Sequence, residues 1–241
     1  MIPKIIHYCW FGGNPMPELA KKCIESWKKY CPDYEIIRWD ESNYDFHKHP
    51  FTKQAYKEKK WAYVTDYARL DIIYTYGGIY FDTDVEVLRS FDNLLSNRLF
   101  LGFESPQAVA TGLGFGGEAG HPVLKMLRDD YDSLTFSSDK MIPCPQIQTK
   151  TLKKLGLLDD TGEIQNLADG VVIYPMEYFC PKSYRDFKLH HLTENTHTIH
   201  HFNGSWLTPY QKMRNSLYIF CDNHAKWLWK ILSATKKVLK S

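Results

Sequence analysis

The chain lacks the marks of several protein classes. Its six cysteines (Cys9, Cys23, Cys31, Cys144, Cys180 and Cys221) are scattered with no CxxC pair, so a dense disulfide scaffold is excluded and a reducing compartment is expected. Neither HExxH nor a paired Cys/His spacing occurs, which argues against a zinc site. No run of about 18 apolar residues is present, so no membrane-spanning helix is expected. The first residues go straight into an apolar stretch without the basic, apolar, small-residue order of a secretory signal, and a cytoplasmic location is the expectation. Thirty Lys and Arg stand against 28 Asp and Glu, a net charge of only +2. That balance does not announce a nucleic-acid partner. Low-complexity segments and internal repeats are absent as well.

What is present reads as an ordinary folded domain. At 241 residues, 44% hydrophobic and 24% charged, the chain suits one large α/β domain, or one domain plus a tail. Aromatic residues reach 15%, which a thick aromatic core or binding of planar and sugar ligands explains equally well. Ile5 to Phe11 is a short β-prone run closed by Gly12-Gly13. A helix follows, in which Leu19, Cys23 and Trp27 recur four residues apart until Cys31-Pro32 stops the pattern. Tyr34 to Trp39 reads as a second strand. Strand, helix and strand in this order open a βαβ unit, and a mostly parallel central sheet follows from it.

Further on, Trp61, Val64, Ala68, Ile72 and Tyr76 keep helical spacing up to Gly77-Gly78. Ile79-Tyr80-Phe81 then runs directly into Asp82-Thr83-Asp84. Two carboxylates at the carboxyl end of a central strand stand where open α/β sheets bind ligands, and they can hold a divalent cation through hard oxygens. A bare DxD also occurs as a solvated acidic turn. Here an apolar strand precedes it, and burying two acids together without a cation would drive one of them neutral. Asp66 and Arg69, at i and i+3, share one side of the preceding helix; taken alone they read as a surface ion pair. Glu104 to Pro122 is rich in glycine and reads as a loop-bearing segment. Thr196 to Phe202 is a last strand candidate, ended by Asn203-Gly204.

Three blocks resemble one family. The runs Ala62 to Leu70 and Tyr76 to Asp84 are similar to the DxD region of glycosyltransferase family 32, which is related to glucosylating toxins. Ile5 to Gly13 resembles that family's first strand, and His200 to Trp206 its closing motif. The resemblance implies a GT-A type nucleotide-sugar-binding fold, a UDP-sugar donor, a Mn²⁺ or Mg²⁺ ion and retention of anomeric configuration. It implies transfer of galactose or an N-acetylhexosamine to a saccharide acceptor, as in capsular and other cell-surface polysaccharide synthesis. By the same resemblance Trp10 stacks on the nucleobase, with Tyr8, Tyr80, Ser205 and Trp206 also at the donor. Asp66 and Arg69 contact the donor sugar, Asp82 lies near ribose, sugar or metal, and Asp84 is the principal metal ligand. Those roles suit the residue types, since an indole face supplies about 1–3 kcal/mol of base stacking and a guanidinium forks to oxygens. Similarity to the His-Phe-x-Gly pattern of related transferases makes His201 the preferred third metal ligand, with His200 as the alternative; only one of them can reach the ion, because neighbours on a strand point to opposite faces. Asp66 and Glu104 are the candidates for a nucleophile on the far side of the sugar, and Glu104 also for acceptor contact.

Two other readings compete. Haloacid-dehalogenase-type phosphatases also set DxD behind a buried strand, yet they want Thr or Val two residues past the second acid, where this chain has Glu86. A carbohydrate-binding protein would leave Asp66, Arg69 and the closing block without a task. The sequence thus divides into a catalytic domain over 1–207 and a helical tail over 208–241. In the tail Leu217, Phe220, Trp227, Leu228, Ile231, Leu232, Val238 and Leu239 share a helical face opposite Lys226, Lys230, Lys237 and Lys240. That pattern fits peripheral contact with a membrane that carries a lipid-linked acceptor, or packing on the domain.

Overall fold

The computed structural model describes residues 1–137, 142–183, 188–190 and 192–204, together with Met213, Leu217 and Phe220. Ile5–Cys9 forms β1, whose last four residues are all buried. An apolar run without alternation makes an interior strand of this kind. After it, α1 (Glu18–Tyr30) buries Ala20, Cys23 and Trp27, the stripe read from the sequence. β2 (Glu35–Trp39) returns parallel to β1, with Ile5 opposite Glu35 and Cys9 opposite Trp39. α2 (Pro50–Lys57) begins at His49, whose ring accepts the Phe51 N–H, and is followed by α3 (Trp61–Tyr76). Then come β3 (Gly78–Tyr80), β4 (Val85–Val87), β5 (Leu99–Ser105), β6 (Ala108–Ala110) and β7 (Phe115–Gly117). The chain continues through α4 (Pro122–Asp129), α5 (Cys144–Lys154), β8 (Gln165–Asn166), β9 (Val171–Tyr174), α6 (Met176–Phe179) and β10 (Thr198–His200).

The main sheet has the order β2-β1-β3-β7-β5-β9-β8, with β6 added on β5. Its strands β2, β1, β3, β5 and β9 run one way, and β7, β6 and β8 run against them. The sheet is therefore mostly parallel, as the opening βαβ unit implies. One face packs on α2, α3, α4 and α5 around Phe51, Leu70, Leu124 and Leu152. The other packs on α1 and α6 around Trp27, Phe81, Phe91 and Phe179. A second small sheet pairs β4 with β10 antiparallel.

The segment from Glu104 to Pro122 is more than the loop-bearing stretch read from the sequence. It carries loops, as read, but β6 and β7 also lie in it, and β7 stands in the middle of the main sheet between β3 and β5. Two of its glycines, in β7, are there for close approach. A Cβ on Gly116 would stand 2.6 Å from the Phe100 ring, and one on Gly117 2.8 Å from Leu124. Glycine in a strand often marks such contact, which sequence alone renders as a turn signal.

The Gly77-Gly78 pair ends α3 and starts β3 within one step. Gly77 has φ +69° and Gly78 φ +103°, and a Cβ on Gly78 would lie 2.7 Å from the Ile5 carbonyl oxygen. Side-chain-free backbone is required here. The same crossing fixes His7, which is fully buried. Its Nδ1 accepts the Trp39 indole N–H at 3.0 Å, so its Nε2 carries the proton and donates to the Gly77 carbonyl at 2.9 Å. Burial outweighs that carbonyl and lowers its pKa to about 4.

Among the described residues no helix is long and apolar enough to cross a membrane. Most of the tail over 208–241 lies outside the described residues; Met213, Leu217 and Phe220 are helical and exposed.

Candidate active site

The site grows from the junction of α3 and β3. Helix α3 is buried nearly around its circumference between Val64 and Ile73, so the pair that reads as a surface ion pair lies inside the protein, with Asp66 8% and Arg69 4% exposed. Arg69 makes one bond from each of its three side-chain nitrogens. Its Nη2 donates to Asp66 Oδ1, its Nη1 to Asp82 Oδ2 at 3.3 Å and its Nε to the Thr65 carbonyl at 3.2 Å. The guanidinium lies 5.4 Å from the Tyr80 ring centre, and the Tyr80 hydroxyl donates to Asp82 Oδ1 at 3.2 Å. Burial pushes both carboxyls upward from their ordinary values, against the pull of Arg69. This cation is thus fixed by two acids and a ring rather than held by its own flexible stem.

Asp84 sits two residues further on, against the small sheet. The register of β10 on β4 sets His200 opposite Val85, which brings His200 Nε2 to 3.2 Å from Asp84 Oδ1. Asp84 Oδ2 accepts the Asn203 N–H at 2.8 Å, and its carbonyl accepts the His201 N–H at 2.9 Å. Burial disfavours a charged His200, but Asp84, then Glu104 and Asp82, outweigh it and raise its pKa to about 9. Burial would likewise raise Asp84; His200 and the Asn203 N–H hold it well below the usual carboxylate range. His201 turns away to Glu86 Oε2 at 2.9 Å. The structure thus places His200, the alternative, and not the preferred His201, beside Asp84. The two rings do diverge, as expected, and strand register gives the inner place to His200.

Other predicted residues distribute unevenly. Glu104, at the end of β5, joins the cluster: burial raises its carboxyl, and His200, Asp82, Arg69 and Asp84 all act on it. Tyr80 is brought in through Asp82 rather than through open space. Trp10 is only partly buried, its indole N–H donating to the Asn14 carbonyl at 2.7 Å, which leaves ring surface to stack on. Tyr8 is packed edge-on against Trp27 with ring centres 5.5 Å apart and belongs mainly to the core. Ser205 and Trp206 lie outside the described residues. Sequence reasoning missed Gly112, whose carbonyl accepts the Asp82 N–H at 3.1 Å, and Cys144, whose thiol acts on the Asp66 carboxyl and lowers it against burial. Neither residue belongs to a recognisable motif, and only the fold brings them to the acids.

A divalent cation fits this donor set. Asp66, Asp82, Asp84 and Glu104 gather around the cations Arg69 and His200, and His200 Nδ1 is buried without a hydrogen-bond partner among the described residues. Carboxylate oxygens with one imidazole suit Mn²⁺ or Mg²⁺. Among the described residues no three His, Cys, Asp or Glu groups are gathered tightly enough to cage an ion alone. Such a cation keeps positions for water and phosphate oxygens.

Residues 17–101 match the family described as "Glycosyltransferase sugar-binding region containing DXD motif". The chain is 36% identical over 131 residues to inositol phosphoceramide mannosyltransferase 3 of Schizosaccharomyces pombe, a match covering 51% of this chain and 35% of that protein. It is 28% identical over 141 residues to human alpha-1,4-N-acetylglucosaminyltransferase, covering 56% and 38%. The chain thus spans about a third of the length of the curated relatives it matches. Among solved structures, the PaToxG glycosyltransferase superposes with a TM-score of 0.51 at 19% identity, covering 64% of this chain and 68% of that one. The fold is of the GT-A type, and Asp66, Arg69, Asp82 and Asp84 all lie within the segment that matches the DXD sugar-binding family.

Proposed function

We propose that this chain is a metal-dependent, retaining glycosyltransferase that moves a hexose or N-acetylhexosamine from a nucleotide-sugar donor, a UDP-sugar in the first instance, to a saccharide acceptor. The observation that carries the reading is the buried row Asp66–Arg69–Asp82 with Asp84 and His200 beside it. Arg69 and Asp66 are preset to hydrogen-bond sugar hydroxyls, and the partly open face of Trp10 suits a base. Asp84 and Asp82, with His200 in the place foreseen for His201, would hold Mn²⁺ or Mg²⁺; when bound, the cation neutralises charge on the departing diphosphate. Retention follows from same-face displacement, in which the leaving phosphate oxygen takes the acceptor proton, so no carboxylate nucleophile is required. Glu104, raised by burial, then serves the acceptor side as a hydrogen-bonding carboxyl.

The relatives named for mannose and N-acetylglucosamine widen the donors beyond galactose. One relative is named for inositol phosphoceramide, which supports a lipid-linked acceptor, and the exposed Met213, Leu217 and Phe220, at helical spacing, support contact of the tail with a membrane. Our reading keeps the enzyme at the inner, cytoplasmic face of that membrane, acting in cell-surface polysaccharide synthesis. Asp82 is committed to Arg69 and Tyr80, which speaks against a phosphatase nucleophile. The test is a panel of UDP-galactose, UDP-N-acetylglucosamine, UDP-N-acetylgalactosamine and GDP-mannose, with and without Mn²⁺, scored by release of nucleoside diphosphate. Release from one donor, abolished by chelation, supports the proposal. Phosphate release from simple phosphomonoesters, or sugar binding without donor turnover, refutes it.

A further inference from the structure

Helix α5 runs beside the site and supplies none of the groups assigned to donor or metal. Its buried face carries Gln148, Thr149, Thr151 and Leu152, and two of these bond the chain that leads from β6 to the acids. Thr149 Oγ1 accepts the Val109 N–H at 2.9 Å, and the Gln148 side-chain amide donates to Thr111 Oγ1 at 2.8 Å. Gln148 and Thr111 are fully buried. Directly after Thr111 comes Gly112. Its carbonyl accepts the Asp82 N–H, and a Cβ there would stand 2.3 Å from Asp82 Oδ2 and 3.1 Å from Arg69 Nη1. Residues 111–112 are therefore a strap with Gln148 at its back and the Arg69–Asp82 pair at its front.

We propose that Gln148 is a positioning residue for the proposed transferase: through Thr111 it seats the Gly112 strap against Arg69 and Asp82 and so fixes the groups that meet the donor sugar. The other end of its amide is informative. Gln148 Oε1 is buried with no hydrogen-bond partner among the described residues, and an unpaired buried acceptor is unfavourable. For packing alone an apolar side chain of the same length would serve better; the bond to Thr111 is what the amide adds. Cys144, one turn earlier on α5, acts on the Asp66 carboxyl, so the helix bears on both ends of the acid row.

The inference rests on the transferase reading only for its activity arm. Gln148→Met, Thr111→Val and the double variant are compared for unfolding in urea, for affinity toward UDP and GDP, and for turnover of whichever nucleotide sugar of the panel reacts. Gln148→Met is expected to stay folded with a modestly lower urea midpoint, since the buried Thr111 hydroxyl loses its partner, and to keep nucleotide affinity while kcat falls about tenfold or more, with KM little changed. The double variant is expected to be no worse than either single one, since both break the same bond. Wild-type kcat in Gln148→Met, or losses that multiply in the double variant, overturn the inference. If wild type reacts with no donor, the functional reading fails by itself. Gln148 is then judged by a urea cycle between Gln148→Met and Asp82→Asn, whose effects are coupled if it seats Asp82 and simply add if it does not.

Discussion

Acid should unfold this protein partly through His7. In the folded state its ring is neutral with both nitrogens engaged: Nδ1 accepts from Trp39, and Nε2–H donates to the Gly77 carbonyl. Protonation would set a second N–H against the Trp39 donor inside the sheet. Its folded pKa is about 4 against 6.5 for a free imidazole. The unfolded chain therefore takes up a proton that the folded chain refuses. The stabilisation is fully present above about pH 6.5, declines as pH falls and is gone below about 4. A shift of that size corresponds to about 3 kcal/mol, a large fraction of the stability of an ordinary domain. A glutamine in place of this histidine offers a carbonyl acceptor and an amide donor without titrating. Urea unfolding of wild type and His7→Gln from pH 7 to 4 should show their difference in stability changing by about 3 kcal/mol in favour of the variant. Parallel curves would refute the argument, because the neighbouring groups are the same in both proteins.

Three further outcomes are expected. Arg69→Ala leaves Asp66 and Asp82 buried without their cation and should cost about 3–5 kcal/mol in urea unfolding; adding Asp66→Asn and Asp82→Asn should restore much of the stability but not turnover, and an undisturbed single variant would contradict the buried geometry. Asp84→Asn should abolish stabilisation by Mn²⁺ in thermal shift and reduce turnover at least tenfold, about 1.4 kcal/mol of barrier. NMR of the imidazole should also find His200 titrating well below about 9 in that variant, and an unmoved titration would mean that Asp84 is not what holds its charge. Gly112→Ala must displace Asp82, since the new methyl would lie 2.3 Å from its Oδ2. It should lower donor turnover with nucleotide affinity retained, and wild-type turnover would mean that the strap does not constrain the acid.

The sequence by itself determined the elements that local pattern controls. Helical spacing from Trp61 to Tyr76, the double glycine behind it and the apolar strand into Asp82 are short-range facts, and α3 and β3 follow them closely. Chain order also put Asp66 and Arg69 on one side of that helix and both DxD acids at a strand end. Tertiary structure decided which partners these residues meet. Whether the Asp66–Arg69 pair faced water depended on helices and strands that close around α3, since neither residue is apolar and periodicity reports only apolar faces. Glycines between Glu104 and Pro122 signal turns locally, yet Gly116 and Gly117 serve close packing in a central strand. The choice between His200 and His201 was set by the register of β10 on β4, strands separated by more than a hundred residues. A strand's pattern says that neighbouring side chains diverge, but which of them points inward is fixed only by the strand it pairs with.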